Sequence, residues 1–122
     1  MKGDFKLPAS SRLKSRSEIL ELFAHGKTVQ SAMLRGVFSR EEFVEGEELR
    51  CGRMMISVPK KHFRRAVQRN MLKRKVREAF RLVRGEYDLS GVRVAFVYST
   101  TKEHSFAEIE VSVRRILEKV SR

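Results

Sequence analysis

The 122-residue chain contains a single cysteine, Cys51, so it can form no internal disulfide bond. A disulfide-stapled secreted domain is therefore excluded, and we expect a structural role for this thiol at the start of a predicted strand. No apolar run approaches the roughly 18 residues that a membrane span needs. The segment from Met1 to Pro8 lacks the apolar core of a signal peptide. These absences favour a cytoplasmic protein with no membrane partner.

The sequence also lacks the residue patterns of most enzymes. It has no Walker loop, no dinucleotide-binding glycine motif and no nucleophile elbow. His25, His62 and His104 are scattered along the chain and form no recognisable metal site with the one cysteine. No pair of acids is placed for two-metal hydrolysis, so an independent protein nuclease ranks last among the candidate functions. We therefore expect no catalytic residue and no assignable metal site on the protein.

Length and composition indicate one small globular domain over residues 1–122. The chain is 41% hydrophobic and 34% charged, and it is long enough to bury a core without disulfides. There is no internal repeat and no low-complexity tract. Residues 1–11 are polar and include Pro8, so we expect them to form a flexible arm.

Acidic residues are almost missing from one segment, Lys60–Arg84. It carries eleven lysines and arginines and one acid, Glu78, for a net charge of +10, whereas the whole chain is +12. The other 97 residues are nearly neutral, with 16 basic and 14 acidic side chains. A folded segment with this charge calls for a polyanion, and RNA or DNA is the usual one.

A helix over the basic segment would have two distinct sides. At 3.6 residues per turn, its apolar residues gather on one side and a ridge of hydrogen-bond donors occupies an arc of about 100° beside them. Solvated helix faces usually alternate charges of opposite sign, and this ridge does not. The pattern therefore favours nucleic-acid binding over a merely solvated face. The ridge consists of Asn70, Lys73, Arg74, Arg77, Arg81 and Arg84.

The remaining sequence predicts three helices and four strands in the order α-β-β-β-α-β-α. This order and size predict an α+β fold, a two-layer sandwich with a four-stranded sheet and helices on one face. Val92–Tyr98 is almost wholly apolar, so we expect it to be the central strand. Five glutamates around Gly46 predict a solvated hairpin loop between the second and third strands.

The predicted element bounds follow from capping residues, periodicity and breakers. The first helix lies within Ser15–Lys27, with Ser17 as a possible N-cap and Gly26 at its end. The other predicted elements are strands near Thr28–Gln30, Met33–Ser39 and Gly52–Val58, a basic helix over Arg65–Val83, the strand Val92–Tyr98 and a closing amphipathic helix from Phe106 to Val120.

Two motifs resemble the protein subunit of bacterial ribonuclease P. The first is R-N-M-L-K-R-K-V-R-E-A-F-R at Arg69–Arg81, and the second is S-V-P-K-K at Ser57–Lys61. Shorter matches cover most of the chain, at Arg12–Lys14, Phe23–Lys27 and Tyr87–Leu89. The chain departs from the family pattern at Phe63–Val67, which is one residue longer than the usual stretch. It also has Ile19 where the family's first helix often has a second aromatic residue.

The resemblance implies a fold shared with a domain of a small-subunit ribosomal protein, with a left-handed β-α-β crossover through the basic helix. It implies binding to a catalytic RNA and to precursor tRNA, with no obligate protein partner. The RNA would hydrolyse the substrate with bound Mg²⁺, and the protein would hold the 5′ leader and help the complex bind metal. The RNA-binding residues would be Lys60, Lys61, Arg64, Arg65, Arg69, Asn70, Lys73, Arg74, Arg77 and Arg81.

The leader would lie on the sheet beside the first helix. Phe23, Arg35 and Phe38 are the candidate leader-binding residues, although core packing is an equal alternative for Phe23 and the favoured one for Phe38. A ribosomal or RNA-chaperone protein is the main alternative function, because it shares the charge and possibly the fold. A DNA-binding regulator ranks lower, because the chain shows no zipper or spare apolar surface for a two-fold dimer.

Overall fold

The computed structural model describes residues 12–13, 15–40 and 53–121. The predicted arm, Cys51 and the glutamate-rich segment lie outside these residues. The described elements confirm the predicted order, and no helix among them is long and apolar enough to cross a membrane. The elements are α1 (Arg16–His25), β1 (Lys27–Ser31), β2 (Leu34–Arg40), β3 (Arg53–Ser57), α2 (Ala66–Val83), a 3-10 turn (Arg84–Glu86), β4 (Val92–Tyr98) and α3 (Phe106–Val120).

The N-cap of helix α1 lies two residues before the predicted one. The Ser15 side chain accepts a hydrogen bond from the Glu18 N–H at 3.5 Å, so Ser15 is the N-cap and the assignment of Ser17 is wrong. The helix ends at Gly26 as predicted, where the Gly26 N–H donates to the Leu22 carbonyl at 2.7 Å. A Cβ on Gly26 would lie only 2.5 Å from that carbonyl oxygen, so the close approach requires glycine.

The four strands form one mixed sheet in the order β1-β2-β4-β3. β1 pairs antiparallel with β2, β2 pairs antiparallel with β4, and β3 pairs parallel with β4. β4 is therefore central, as its apolar sequence predicts, and five of its seven residues are buried. The predicted hairpin between the second and third strands is wrong, because β4 lies between β2 and β3 in the sheet.

The helices cover both faces of the sheet, not one. α2 and α3 pack on the face that carries Leu34, Val94 and Phe96, and they form the main core with it. α1 packs on the opposite face, where Leu22 meets Val37 and Ala95 in a second, smaller cluster. The expectation that all helices lie on one face is therefore wrong: α1 buries its own narrow apolar stripe on the far side.

The connection β3-α2-β4 is left-handed, as the family resemblance implies. Viewed from the helices with β3 running upward, an L-residue whose side chain faces the viewer directs its backbone N–H and C=O to the right. Met54 faces the helices, and its carbonyl accepts from the Leu13 N–H at 2.8 Å, so the N-terminal segment lies to the right and β4 to the left. A chain that crosses in front of the sheet and returns one strand to the left is left-handed, against the usual rule.

Candidate nucleic-acid interface

Helix α2 fixes the basic ridge because its opposite side is anchored in the core. Its buried residues are Leu72, Val76, Ala79, Phe80 and Val83. The Phe80 and Phe96 rings meet edge to face, with centroids 5.9 Å apart. With this stripe against the sheet, rotation of the helix about its axis would cost much of the core, so the ridge is presented in a single orientation.

The side of α2 that faces α3 is tied down by polar contacts. Lys75 donates to the His104 carbonyl at 3.1 Å, and Gln68 donates to Glu103 at 3.0 Å. Lys75, which is absent from the predicted ridge, reaches the loop that precedes α3. These contacts leave the ridge on the outer surface and on the side next to β3.

The structure places the ten predicted RNA-binding residues along one continuous stretch of surface. Lys60 and Lys61 occupy a turn that follows β3, and Arg64 and Arg65 directly precede α2; all four are exposed. The other six predicted RNA-binding residues, all on α2, divide by exposure. Asn70 and Arg74 are exposed on the outside, whereas Arg69, Lys73, Arg77 and Arg81 are half-buried along the flanks.

Arg69 directly precedes the ridge and differs from the ridge cations because its guanidinium is already hydrogen-bonded to backbone carbonyls. One nitrogen, Nη1, donates to the Phe63 carbonyl at 2.9 Å and to the Arg64 carbonyl at 2.8 Å. These bonds fold the lengthened Phe63–Val67 segment back against the first turn of α2. Arg69 therefore shapes the turn that presents Arg64 and Arg65, whatever it also contacts in a partner.

Glu78, the single acidic residue of the Lys60–Arg84 segment, is paired within α2 itself. It forms an ion pair with Arg81 one turn later, and the hydrogen bond from Arg81 holds the pKa of Glu78 below its ordinary value. The same pair raises the pKa of Arg81. Glu78 therefore offsets part of the positive charge at the Arg81 end of the ridge.

The N-terminus of α2 adds to the positive potential. Its N-cap is Arg65, which makes no side-chain capping bond, and its first turn contains no acid. The partial positive charge of a helix N-terminus therefore coincides with two arginines, an arrangement disfavoured by about 0.3–1 kcal/mol per cation and relieved by an external anion. By contrast, α3 begins with a complete capping box of Ser105 and Glu108.

A cleft of about 200 Å³ lies between α2 and the edge of the sheet. Lys73 and Arg77 form its α2 side, and Arg12 flanks it from the N-terminal segment. Leu13 and the β3 residues Met54, Met55 and Ile56 line the rest. The sequence pattern placed Lys73 and Arg77 on the ridge but gave no sign of the cleft, because its other wall is distant in the chain.

The predicted leader surface is only partly assembled. Phe23 on α1 is 42% exposed, and Arg35 is exposed on the α1 side of the sheet, two residues from Val37. Phe38 is on the other face, where it packs against the main core and under the Arg40 guanidinium at 5.5 Å. The assignment of Phe38 to the leader surface is therefore wrong, because successive strand residues point to opposite faces.

An ion-pair network that the sequence did not reveal holds α1 on the sheet. Glu18 on α1 accepts from Arg53 at 2.7 Å and from Arg93 at 3.4 Å, and Glu21 lies 3.6 Å from Arg93. Arg53 and Arg93 are paired residues of neighbouring strands. No sequence motif marks this network, since Glu18 is 35 positions from Arg53 and 75 positions from Arg93.

Metal-ligating side chains are not clustered in the described part of the chain. Residues 12–13, 15–40 and 53–121 contain no group of three or more histidine, cysteine, aspartate or glutamate side chains that could hold an ion. The residues of these ranges therefore do not fit a magnesium site built from three or more such side chains.

Comparison with known proteins identifies the family. The ribonuclease P family model matches residues 7–121. A ribonuclease P protein component of Desulfosudis oleivorans is 37% identical over 121 residues, which cover 97% of this chain and 92% of that protein. The corresponding protein of Porphyromonas gingivalis is 46% identical over 80 residues, which cover 64% of this chain. That alignment spans only 55% of the Porphyromonas protein's length.

Solved structures agree with the fold. The ribonuclease P protein of Thermotoga maritima, solved in complex with 1-(4-fluorophenyl)-2-thiourea, superposes with a TM-score of 0.75 at 25% identity and covers 90% of this chain and 100% of its own. The Staphylococcus aureus protein superposes with a TM-score of 0.71 at 22% identity, covering 89% of this chain and 94% of its own. With the family match over nearly the whole sequence, the chain belongs to the ribonuclease P protein family.

Proposed function

We propose that this chain is the protein subunit of ribonuclease P and assists removal of the 5′ leader from precursor tRNA. The observation that carries the proposal is the one-sided ridge of α2, held rigid by the core and continuous with the exposed Lys60, Lys61, Arg64 and Arg65. Membership of the ribonuclease P protein family indicates that the partner of that surface is RNA. In this role the protein acts in the cytoplasm, within an endoribonuclease complex.

The ridge would contact the catalytic RNA, mainly at phosphates. Arginine predominates among the ridge cations, and guanidinium groups bind phosphate oxygens through paired hydrogen bonds. Asn70 and Arg74 project outward from the middle of the helix, where a double-stranded or folded RNA surface can reach them. Such contacts are independent of sequence and strongly dependent on salt.

The α1 side of the sheet would hold the leader of precursor tRNA. Phe23 offers a partly exposed ring, and Arg35 offers a cation on the neighbouring sheet surface. Stacking of a base on an aromatic ring is worth about 1–3 kcal/mol and tolerates any base, which suits leaders of varied sequence. Leader binding through these two residues is supported by their position beside α1.

Hydrolysis would be carried out by the RNA subunit, with Mg²⁺ held mainly by the RNA and the substrate. Two features support this division. No metal-ligand cluster lies in the described residues, and the acids Glu18 and Glu78 are engaged in ion pairs with arginines. The protein's contribution would be to bind and orient the two RNAs and to offset their mutual repulsion.

A precursor-tRNA cleavage assay at low Mg²⁺ tests this function. It compares a bacterial ribonuclease P RNA with and without the protein, and the protein alone. We expect cleavage at the mature 5′ end only when both are present. Cleavage by the protein alone would contradict the assignment of chemistry to the RNA. RNA binding without any stimulation of cleavage would instead favour a ribosomal or RNA-chaperone function.

A further inference from the structure

The cleft beside α2 combines an apolar lining with a rim of cations. Its volume of about 200 Å³ is below the roughly 300–1,000 Å³ typical of sites for drug-sized ligands, so it suits a group of about one ring system. Leu13, Met54, Met55 and Ile56 supply aliphatic and thioether surface. Thioether side chains make favourable contacts with aromatic rings and adapt to their shape. This lining fits a flat, uncharged ring better than it fits a phosphate group.

The edge of β3 adds backbone polar groups to this lining. The Met54 carbonyl points outward and accepts from the Leu13 N–H. Because backbone direction alternates along a strand, the N–H and C=O of Ile56, two residues on, point to the same outer side. A neighbouring donor and acceptor at the margin of an apolar slot can hydrogen-bond the edge of a nucleobase.

The cations on the rim are placed for a phosphate attached to that ring. Lys73 and Arg77 lie one turn apart on α2, and Arg12 faces them from the N-terminal segment. Neither Lys73 nor Arg77 forms an ion pair with an acidic side chain within residues 12–13, 15–40 and 53–121. Their half-buried stems line the cleft, whereas Arg74, which lies between them in the sequence, is exposed on the outer side of α2.

We infer that this cleft binds one unpaired nucleotide of an RNA partner. The base would lie against Met54–Ile56 and Leu13, its edge would meet the Ile56 backbone, and its phosphate would be held by Lys73, Arg77 and Arg12. The inference rests on the proposed RNA-binding function and adds a base-sized subsite to a surface otherwise suited only to phosphates. The nucleotide could come from the catalytic RNA or from the leader, and the experiment distinguishes these sources.

The test fills the cleft without changing its charge. Ile56→Phe is compared with the wild type and with Val111→Phe, which adds the same ring to an exposed position on α3, outside the residues assigned to RNA binding. Each protein is first shown to be folded by its thermal melt. Two affinities are then measured: that of the protein for the ribonuclease P RNA, and that of the assembled enzyme for precursor tRNA with and without a leader.

We expect Ile56→Phe to weaken one of these steps by about 5- to 150-fold, the range for loss of one stacked base, while Val111→Phe changes neither. Weaker assembly with the RNA alone places the nucleotide in the catalytic RNA. Weaker binding of leader-bearing substrate, with leaderless tRNA unaffected, places it in the leader. In the second case, an abasic site at one leader position should weaken substrate binding by the wild-type enzyme by the same factor. The abasic site should not weaken substrate binding by the Ile56→Phe enzyme any further.

A folded Ile56→Phe protein that performs both steps like the wild type would overturn the inference. If that variant does not fold, Arg12→Gln replaces it and should weaken the same single step, with Arg115→Gln on α3 as the matched control. Wild-type behaviour of Arg12→Gln would then overturn the inference. Arg74→Ala separates the two proposals. If Arg74→Ala weakens assembly with the RNA and Ile56→Phe affects neither step, the inference about the cleft is wrong and the proposed function stands. If neither has an effect, the proposed function fails with it.

Discussion

The guanidinium of Arg69 lies 2.9 Å from the carbonyl oxygen of Phe63, across the turn that leads into the basic helix. The same nitrogen reaches the Arg64 carbonyl at 2.8 Å. Arg69, the first residue of the Arg69–Arg81 motif, therefore supports the backbone at Phe63 and Arg64. We therefore expect any effect of Arg69 on RNA binding to act partly through the position of Arg64 and Arg65.

Replacing Arg69 should therefore reduce stability as well as affinity. Arg69→Met keeps the apolar stem and removes both hydrogen bonds, so we expect the free energy of unfolding to fall by about 1–3 kcal/mol. Urea unfolding measures this change, and a filter-binding titration measures the accompanying loss of RNA affinity. Arg74→Met, on the exposed ridge, should lose affinity with unchanged stability. Equal stability of the two variants would contradict the supporting role.

The ion pairs of Glu18 should control leader binding without a large effect on folding. The Glu18 and Arg53 side chains are 31% and 23% exposed, so solvent screening limits the pair to about 0.2–1 kcal/mol of stability. Glu18→Gln should loosen α1 on the sheet and move Phe23 relative to Arg35. We expect weaker binding of leader-bearing precursor tRNA and unchanged assembly with the catalytic RNA.

Two results would count against this role of Glu18. One is a loss of leader binding as large in Glu21→Gln, whose carboxylate makes only the longer 3.6 Å contact with Arg93. The other is weaker assembly with the RNA, because α2 and its ridge lie on the opposite face from Glu18.

The capping box of α3 predicts a specific acid sensitivity. The hydrogen bond from the Ser105 backbone N–H holds the pKa of Glu108 below its usual 4.5. Because the pKa is lower in the folded state, the carboxylate stabilises the fold above about pH 4.5 and loses this effect as pH falls through the folded-state value. The melting temperature of Glu108→Gln should therefore lie below that of the wild type at pH 6 and approach it at pH 3. A constant difference between pH 6 and pH 3 would contradict the prediction.

Local sequence signals predicted the elements whose environment is uniform. Val92–Tyr98 is apolar except at Arg93 and proved central, and the α2 stripe from Leu72 to Val83 proved buried. The two sides of α2 could be separated because helical periodicity is strict over five turns. The ridge residues were therefore predicted from spacing alone.

Long-range features could not be predicted in the same way. The insertion of β4 between β2 and β3 depends on a pairing that forms across α2, and turn residues near Gly46 carry no information about it. The face chosen by α1 depends on Leu22 meeting Ala95, more than 70 positions away. Phe38 has the same strand parity as the buried Leu34 and the opposite parity to Arg35, so strand alternation alone places Phe38 and Arg35 on opposite faces of the sheet.

Binding of the catalytic RNA by the ridge of α2, through phosphates, is what gives the protein its proposed role. The most direct test is the salt dependence of that binding for the wild type, Arg74→Ala, Arg77→Ala and the α3 control Arg115→Ala. We predict that each ridge variant binds more weakly and that its slope of log affinity against log salt flattens by about 1. The control should keep the wild-type affinity and slope. Wild-type affinity and slope in both ridge variants would contradict the account.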